Sequence, residues 1–192
     1  QRPRDSAISG IFMNYYQNGN ETEITGIEGF DLARTFECGQ CFRWNADGTG
    51  AYTGVAMGKA ARIRKAGGSI FITGTPDEFN AVWRAYLDLD LDYEAVRHAV
   101  SIDDYMARCA DCGAGIRILR QDKWEALCTF IVSQCNNIPR IKQIVERFSA
   151  LYGQPLLLDG RTYYTFPTAD KTAGLTEKDL EPLRCGYRAP YI

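Results

Sequence analysis

The chain has 192 residues, 45% of them hydrophobic and 24% charged, with a formal net charge of −2. That composition fits one ordinary globular domain or two small ones, and the mild acidity speaks against a uniformly basic nucleic-acid binder. No apolar run approaches the roughly 18 residues that span a bilayer, and residues 1–12 lack the apolar centre of a secretory signal, so a cytoplasmic protein with no membrane contact is expected.

Residues 1–12, and more broadly 1–23, read as an N-terminal extension, with Met13 a candidate natural start. Residues 24–74 read as serial hairpins. Runs at 42–45, 51–56, 60–65 and 69–73 alternate apolar with polar residues, and Asp47-Gly48 and Gly67-Gly68 supply turn signals. An antiparallel sheet follows from that order. At Thr75 the period changes: a hydroxyl N-cap, proline at the first helical position and an acid at the third mark a helix start. Phe79, Val82, Trp83, Tyr86 and Leu87 then share one helical face, suited to covering the sheet. Shorter helices are predicted over 93–100 and 102–109, and a boundary over 111–115, which gives an α+β domain over 24–115.

Residues 116–192 read as helical. Asp122 caps a predicted helix over 123–133, whose apolar stripe is Trp124, Leu127, Cys128, Ile131 and Val132. A polar corner, Gln134-Cys135-Asn136-Asn137, separates it from a second helix. That helix carries Ile138, Ile141, Val145, Phe148 and Tyr152 on one face and ends at Gly153. A third, short helix is predicted over 176–183. These stripes have little to pack against within 116–192, so the helical domain is expected to be incomplete here.

Charge is unevenly placed. Residues 76–105 hold eight acids against two arginines, whereas residues 116–148 hold six bases against three acids. A polyanion would favour the second stretch and avoid the first; two solvated faces are the plainer alternative. The seven cysteines include two Cys-x-x-Cys pairs, Cys38/Cys41 and Cys109/Cys112. Together they would make a four-thiolate zinc site, but they lie far apart in sequence and Cys41 falls in a predicted strand. Reduced thiols without metal are the expectation.

Three short segments carry most of the functional signal: Cys38-Gly39-Gln40-Cys41-Phe42-Arg43-Trp44, Gln134-Cys135-Asn136-Asn137-Ile138-Pro139-Arg140, and Gly186-Tyr187-Arg188. Each has a structural explanation on its own. Gly39 would suit a turn, Asn136 and Asn137 would suit a helix cap, and Tyr187 with Arg188 would suit a packed ring and a surface charge. Taken in order, with Ile118-Leu119-Arg120-Gln121-Asp122 and Phe130-Ile131 between them, they resemble the 8-oxoguanine DNA glycosylases of the helix-hairpin-helix superfamily over roughly residues 24–192.

The resemblance implies a fold: a twisted antiparallel sheet with covering helices, of TATA-binding-protein-like form, followed by part of an all-α helix-hairpin-helix glycosylase domain. It implies base-excision repair by a bifunctional glycosylase and abasic-site lyase with no cofactor. The partner would be double-stranded DNA carrying 8-oxoguanine opposite cytosine, bound by a monomer. In the lesion N7 carries a hydrogen where guanine has an acceptor, and the carbonyl of the glycine matching Gly39 reads that difference; Phe42 would line the pocket or the core. Asn136 and Asn137 would enter the gap left by the extruded base, Tyr187 would wedge the duplex, and Arg140 and Arg188 would donate to the orphan cytosine.

Two departures stand out. The family's run of three asparagines begins here with Cys135. The family's catalytic lysine and aspartate also lie downstream of the tyrosine-arginine segment, beyond Ile192, and none of Lys59, Lys65, Lys123, Lys142, Lys171 or Lys178 matches that lysine. The 192 residues alone are therefore expected to be inactive. The competing readings are a non-catalytic module for lesions or bent DNA, and a thiolate metal protein.

Overall fold

The computed structural model describes residues 13–192; the predicted extension over 1–12 lies outside the described residues. The first part is a six-stranded sheet, antiparallel throughout: β1 Asn14–Asn18, β2 Glu21–Thr25, β3 Trp44–Ala46, β4 Tyr52–Ala56, β5 Lys59–Ala66 and β6 Ser69–Thr73, in the order β1-β2-β6-β5-β4-β3. The sheet starts ten residues earlier than the sequence reading placed it. Residues 14–23 are strand and turn, not extension, and Gly19-Asn20, with Gly19 at φ 64°, makes the first hairpin turn. β1 is a polar edge strand with hardly any buried position, so the alternation that marks a half-buried strand is missing there.

One helix, α1 (Leu32–Glu37), crosses between β2 and β3, capped by the Asp31 carboxylate on Arg34 N. After β6, Thr75 accepts from Glu78 N and opens the covering helix α2, which runs through Pro76–Glu78, a wide π turn at Phe79–Trp83, and Arg84–Tyr86. Its predicted face does cover the sheet: Phe79, Trp83, Tyr86 and Leu87 are buried, and Val82 packs beside them. At the centre of this core Phe36 stacks on Trp44 with ring centroids 4.5 Å apart, and Trp44 Nε1 donates to the Tyr86 hydroxyl at 2.8 Å. Aromatic pairs of this kind add to what their buried area contributes.

The helices α3 (Tyr93–Val100) and α4 (Asp104–Cys112) follow as a hairpin. Residues 115–121 then lead into α5 (Lys123–Ser133) and α6 (Ile138–Tyr152), whose bounds match the expectation because Asp122, Asn137 and Gly153 terminate them locally. Between α6 and the end lie two elements the sequence reading left out. One is a hairpin, β7 (Pro155–Leu158) and β8 (Arg161–Tyr164), turned at Asp159-Gly160 with both residues at positive φ. The other is a short helix, α7 (Ala169–Ala173), capped by Thr168. Then come α8 (Glu177–Leu180), with a full capping box at Thr176 and Asp179, and 3₁₀ segments at Glu181–Leu183 and Gly186–Tyr191. The second core gathers Phe42, Val132, Ile141, Ile144, Val145, Phe148, Leu180, Leu183 and Cys185. On α5 the buried positions are Cys128, Thr129 and Val132, while Leu127, expected in the core stripe, is half exposed. A 3.6-residue period fixes that a helix has an apolar face, but not which of two adjoining faces its neighbours cover.

Trp44 needs a gap in the neighbouring strand. Opposite it on β4 is Gly54, where an added Cβ would sit 2.5 Å from Trp44 Cδ2 and 2.8 Å from the Arg43 carbonyl oxygen. Gly54→Ala is therefore expected to cost about 1–3 kcal/mol through overpacking, read as a lower urea midpoint with unchanged slope.

Candidate nucleic-acid interface

The run 39–44 joins the two cores. Cys41 and Trp44 are buried in the first, whereas Phe42 points into the second. Cys41 lies in the loop before β3 and not in a strand as predicted; its thiol donates to the Phe36 carbonyl at 3.7 Å, and burial pushes that thiol up to about 12. Gln40, left without a role by the sequence reading, fixes the loop. Its Nε2 donates to the carbonyls of Thr35 (2.9 Å) and Arg117 (2.8 Å), its Oε1 accepts from Leu119 N (3.0 Å), and its own carbonyl accepts from Gln121 Nε2 (2.6 Å). Arg43 is buried, donates to the Tyr164 carbonyl and lies 3.9 Å from Glu146.

So held, Gly39 and Phe42 form one wall of a cavity of about 270 Å³, with Ala126, Thr129, Phe130 and Ser133 of α5 as the other. Gly39 sits at φ 90° with nothing within 4 Å of where a Cβ would be. Among the described residues its carbonyl accepts no hydrogen bond. A glycine at this φ gives the backbone an open approach that a side chain would obstruct. Phe130, which no helical-periodicity argument singled out, stands at the cavity with 62% of its surface exposed. No lysine is part of this lining; Lys65 bonds to the Phe30 carbonyl (2.7 Å) and Lys142 to the Trp44 carbonyl (2.7 Å).

The next residue along, Gln134, begins the second and third segments' meeting point. Its carbonyl accepts from Tyr187 Oη (3.2 Å), from Arg188 Nε (3.0 Å) and from Arg188 Nη2. Arg188 Nη2 also donates to the Cys135 carbonyl (3.1 Å), and Nη1 to the Cys185 carbonyl (3.1 Å). Asn136 is half-buried, with Nδ2 on the Val132 carbonyl (2.9 Å); Asn137 caps α6 through Arg140 N (3.1 Å). Tyr187 is 61% exposed and lies against the Arg188 guanidinium, 4.4 Å from its ring centroid. Arg140 is exposed, and its Nη2 donates to the Arg184 carbonyl at 3.4 Å.

Arg188, which the resemblance assigns to the orphan cytosine, is 3% exposed here with all three nitrogens on backbone carbonyls, so in this conformation it braces the corner. The basic stretch is likewise thinner than its residue count suggests. Arg117 is buried, Arg120 pairs with Asp88 at 2.9 Å, and Arg147 donates to the Leu183 carbonyl at 2.6 Å, which leaves Lys123 and Arg140 as its exposed cations without an acidic partner among the described residues.

A second, larger cleft of about 520 Å³ lies at the other end of α5, between the β4–β5 turn (Met57, Gly58), the helix start (Asp122, Trp124, Glu125) and residues 165–169. Burial pushes the Glu125 carboxyl up to about 7, against the opposing pull of Arg43. All seven cysteines are free thiols, and among the described residues no three His, Cys, Asp or Glu side chains group as a metal site would need.

Two measurements follow. Cys135 is held at φ 48°, where asparagine is accommodated better than cysteine, so Cys135→Asn is expected to raise stability by about 0.5–1 kcal/mol, seen as a higher urea midpoint. For Glu125 the folded carboxyl titrates above its ordinary 4.5, so the folded state binds a proton that the unfolded state has lost. Stability must then fall as pH rises through that window, from about 4.5 to about 7, and level off above it. Glu125→Gln is expected to flatten this part of the pH profile in denaturation, and an unchanged profile would refute the assignment.

Comparison with known proteins agrees with this geometry. A family model described as the 8-oxoguanine DNA glycosylase N-terminal domain matches residues 24–127. The N-glycosylase/DNA lyase of Saccharomyces cerevisiae is 36% identical over 121 residues, 62% of this chain and 32% of the relative. The N-glycosylase/DNA lyase OGG1 of Arabidopsis thaliana is 29% identical over 178 residues, 89% of this chain and 47% of the relative. Among solved structures, MBOgg1 in complex with a low-affinity DNA ligand has a TM-score of 0.89 at 39% identity, covering 93% of this chain and 62% of that one. The 8-oxoguanine glycosylase/lyase of Clostridium acetobutylicum in its apo form has a TM-score of 0.87 at 39% identity, with 93% and 62% covered; the same enzyme is also known in complex with double-stranded DNA containing cytosine opposite 8-oxoguanine. The chain spans 32% and 47% of the length of those two curated relatives. With the family model matching more than half of its residues, the chain belongs to the 8-oxoguanine DNA glycosylase family.

Proposed function

We propose that this chain is the lesion-recognition part of an 8-oxoguanine DNA glycosylase and abasic-site lyase acting in base-excision repair on duplex DNA with 8-oxoguanine opposite cytosine. The observation that carries the reading is the convergence of the three segments on one end of α5. Phe130 and Ser133 line the cavity with Gly39, and Gln134, the very next residue, holds Tyr187 and Arg188. A site for an extruded base therefore adjoins an exposed aromatic that can enter the stack it left.

In this reading the Gly39 carbonyl accepts from N7–H of the lesion and repels the N7 lone pair of guanine. One such contact and its reversal amount to roughly 1–3 kcal/mol, a factor of about five to 150. The cavity of about 270 Å³ lies just under the usual range of roughly 300–1,000 Å³ for small-molecule pockets, as suits a single planar base. Arg140 is free to turn its donors to the acceptor edge of the orphan cytosine, with Asn137 beside it. The protein works as a monomer, without cofactor, in the cytoplasm. The cavity lining offers no amine for covalent attack on the sugar, so these 192 residues bind without excising.

The test is fluorescence anisotropy with matched duplexes, 8-oxoguanine:cytosine and guanine:cytosine. The chain is expected to prefer the lesion at least about fivefold, and Gly39→Ala to bring the two affinities together. Arg140→Ala is expected to weaken binding of the lesion duplex by about 1–3 kcal/mol and to relax the preference for cytosine opposite 8-oxoguanine. Equal affinity of the unaltered chain for both duplexes would refute lesion recognition. A borohydride-trapped covalent complex would show that a nucleophile is present after all.

A further inference from the structure

The helical hairpin α3–α4 is the part of the molecule least absorbed by either core. Both helices are amphipathic, yet neither has a fully buried residue. They pack on each other and are fastened at their base. Tyr93 lies under the Arg117 guanidinium, 4.6 Å from the ring centroid; its hydroxyl donates to Asp88 Oδ2 (2.9 Å) and accepts from Ile118 N (2.7 Å). At the far end of α4, Arg34 Nη1 donates to the carbonyls of Cys112 (3.1 Å) and Ala114 (3.0 Å). The tip between the helices has no such anchor among the described residues. It exposes Ile102 at 79%, Tyr105 at 66% and Val100 at 42%. A single exposed apolar side chain is ordinary, but three within six residues at a protruding apex form a concentrated patch.

The surroundings are acidic. From residue 88 to 112 there are seven acids and two arginines. Asp88 and Asp90 are paired with Arg120 and Arg84, and Arg97 serves Glu94 (3.4 Å) and Asp111 (3.7 Å). Asp92 and Asp103 cap the two helices; among the described residues neither Asp104 beside the tip nor the exposed Arg108 one turn along α4 is in an ion pair, so Asp103 and Asp104 outnumber the single free cation there. A negative rim around an apolar apex repels DNA, so this surface is separate from the proposed interface. It equally disfavours a second copy of itself, acid facing acid. What complements it is a positively charged amphipathic segment, whose apolar stripe meets Ile102 and Tyr105 while its basic flank meets Asp103 and Asp104.

We propose that the tip of the α3–α4 hairpin, centred on Ile102 and Tyr105, is a docking site for a protein partner that presents a basic amphipathic helix. The inference stands on this surface alone and does not depend on the lesion reading.

The test uses a fluorescein-labelled peptide of about 14 residues, with leucines at the helical i, i+3, i+4, i+7 spacing and lysines elsewhere, titrated with the full 192-residue chain. Saturable binding is expected, about tenfold weaker for the double variant Ile102→Ser with Tyr105→Ser and several-fold weaker for Asp104→Lys. The melting temperature should hold in all variants, because the altered side chains are exposed. A peptide with the same lysines but serine for leucine should bind about tenfold more weakly. Equal binding of the double variant, or of the leucine-free peptide, would overturn the proposal by showing attraction through charge alone. Direct binding of a labelled DNA duplex that is lost in the double variant would assign the tip to nucleic acid, and self-association lost in the double variant would assign it to a second copy; either result would also overturn it.

Discussion

The cavity beside Gly39 depends on one side-chain amide. Gln40 satisfies two carbonyls and one backbone N–H on two other stretches of chain, and its own carbonyl is satisfied by Gln121. A half-buried amide with its groups paired holds a loop in one place, because any other position leaves several of those groups without their partners. The loop so held turns its side chains to opposite sides, Cys41 and Trp44 to the sheet core and Phe42 to the helical core. Gly39 is carried to α5 by that stitching, not by any attraction of its own.

Arginine performs the same service elsewhere. Arg117 donates to the carbonyls of Asp88 (2.8 Å) and Glu28 (3.4 Å), Arg43 to that of Tyr164, and Arg188 to those of Gln134, Cys135 and Cys185. Each guanidinium is buried and joins segments far apart in sequence. Desolvating a charge is costly, and burial holds the Arg117 guanidinium below its usual range. The return is geometric: a planar fork reaches several carbonyls at once where irregular chain offers little apolar surface. The Gln134–Asn137 corner, with Cys135 left-handed, is held by such a fork.

Local signals are legible in the sequence, and long-range ones are not. The bounds of α5 and α6 follow from Asp122, Asn137 and Gly153, and α2 begins where Thr75 and Pro76 announce it. Gly19-Asn20 and Asp159-Gly160 are equally local, yet the strands they join are short, exposed or weakly alternating and give little pattern to mark them as hairpins. The outward face of Leu127 and Phe130 is decided by what packs on Val132 and Cys128, which no single-helix pattern contains. Arg188 reads as a surface charge in one dimension, because the carbonyls that bury it belong to a corner 53 and 54 residues away. The nearness of Gly39 to α5 was accessible only through family resemblance.

The scarcity of free cations on the basic stretch bears on how such a protein would look for damage. Each phosphate neutralised releases counterions, and that release supplies most of the grip on undamaged duplex. With Arg117, Arg120 and Arg147 committed to internal partners, few phosphates can be engaged by this stretch. On the proposed reading, visits to ordinary sequence are brief, and the dwell at a lesion is set by the wedge and the cavity. The search then proceeds by many short encounters with re-landing, in preference to long one-dimensional slides along the helix.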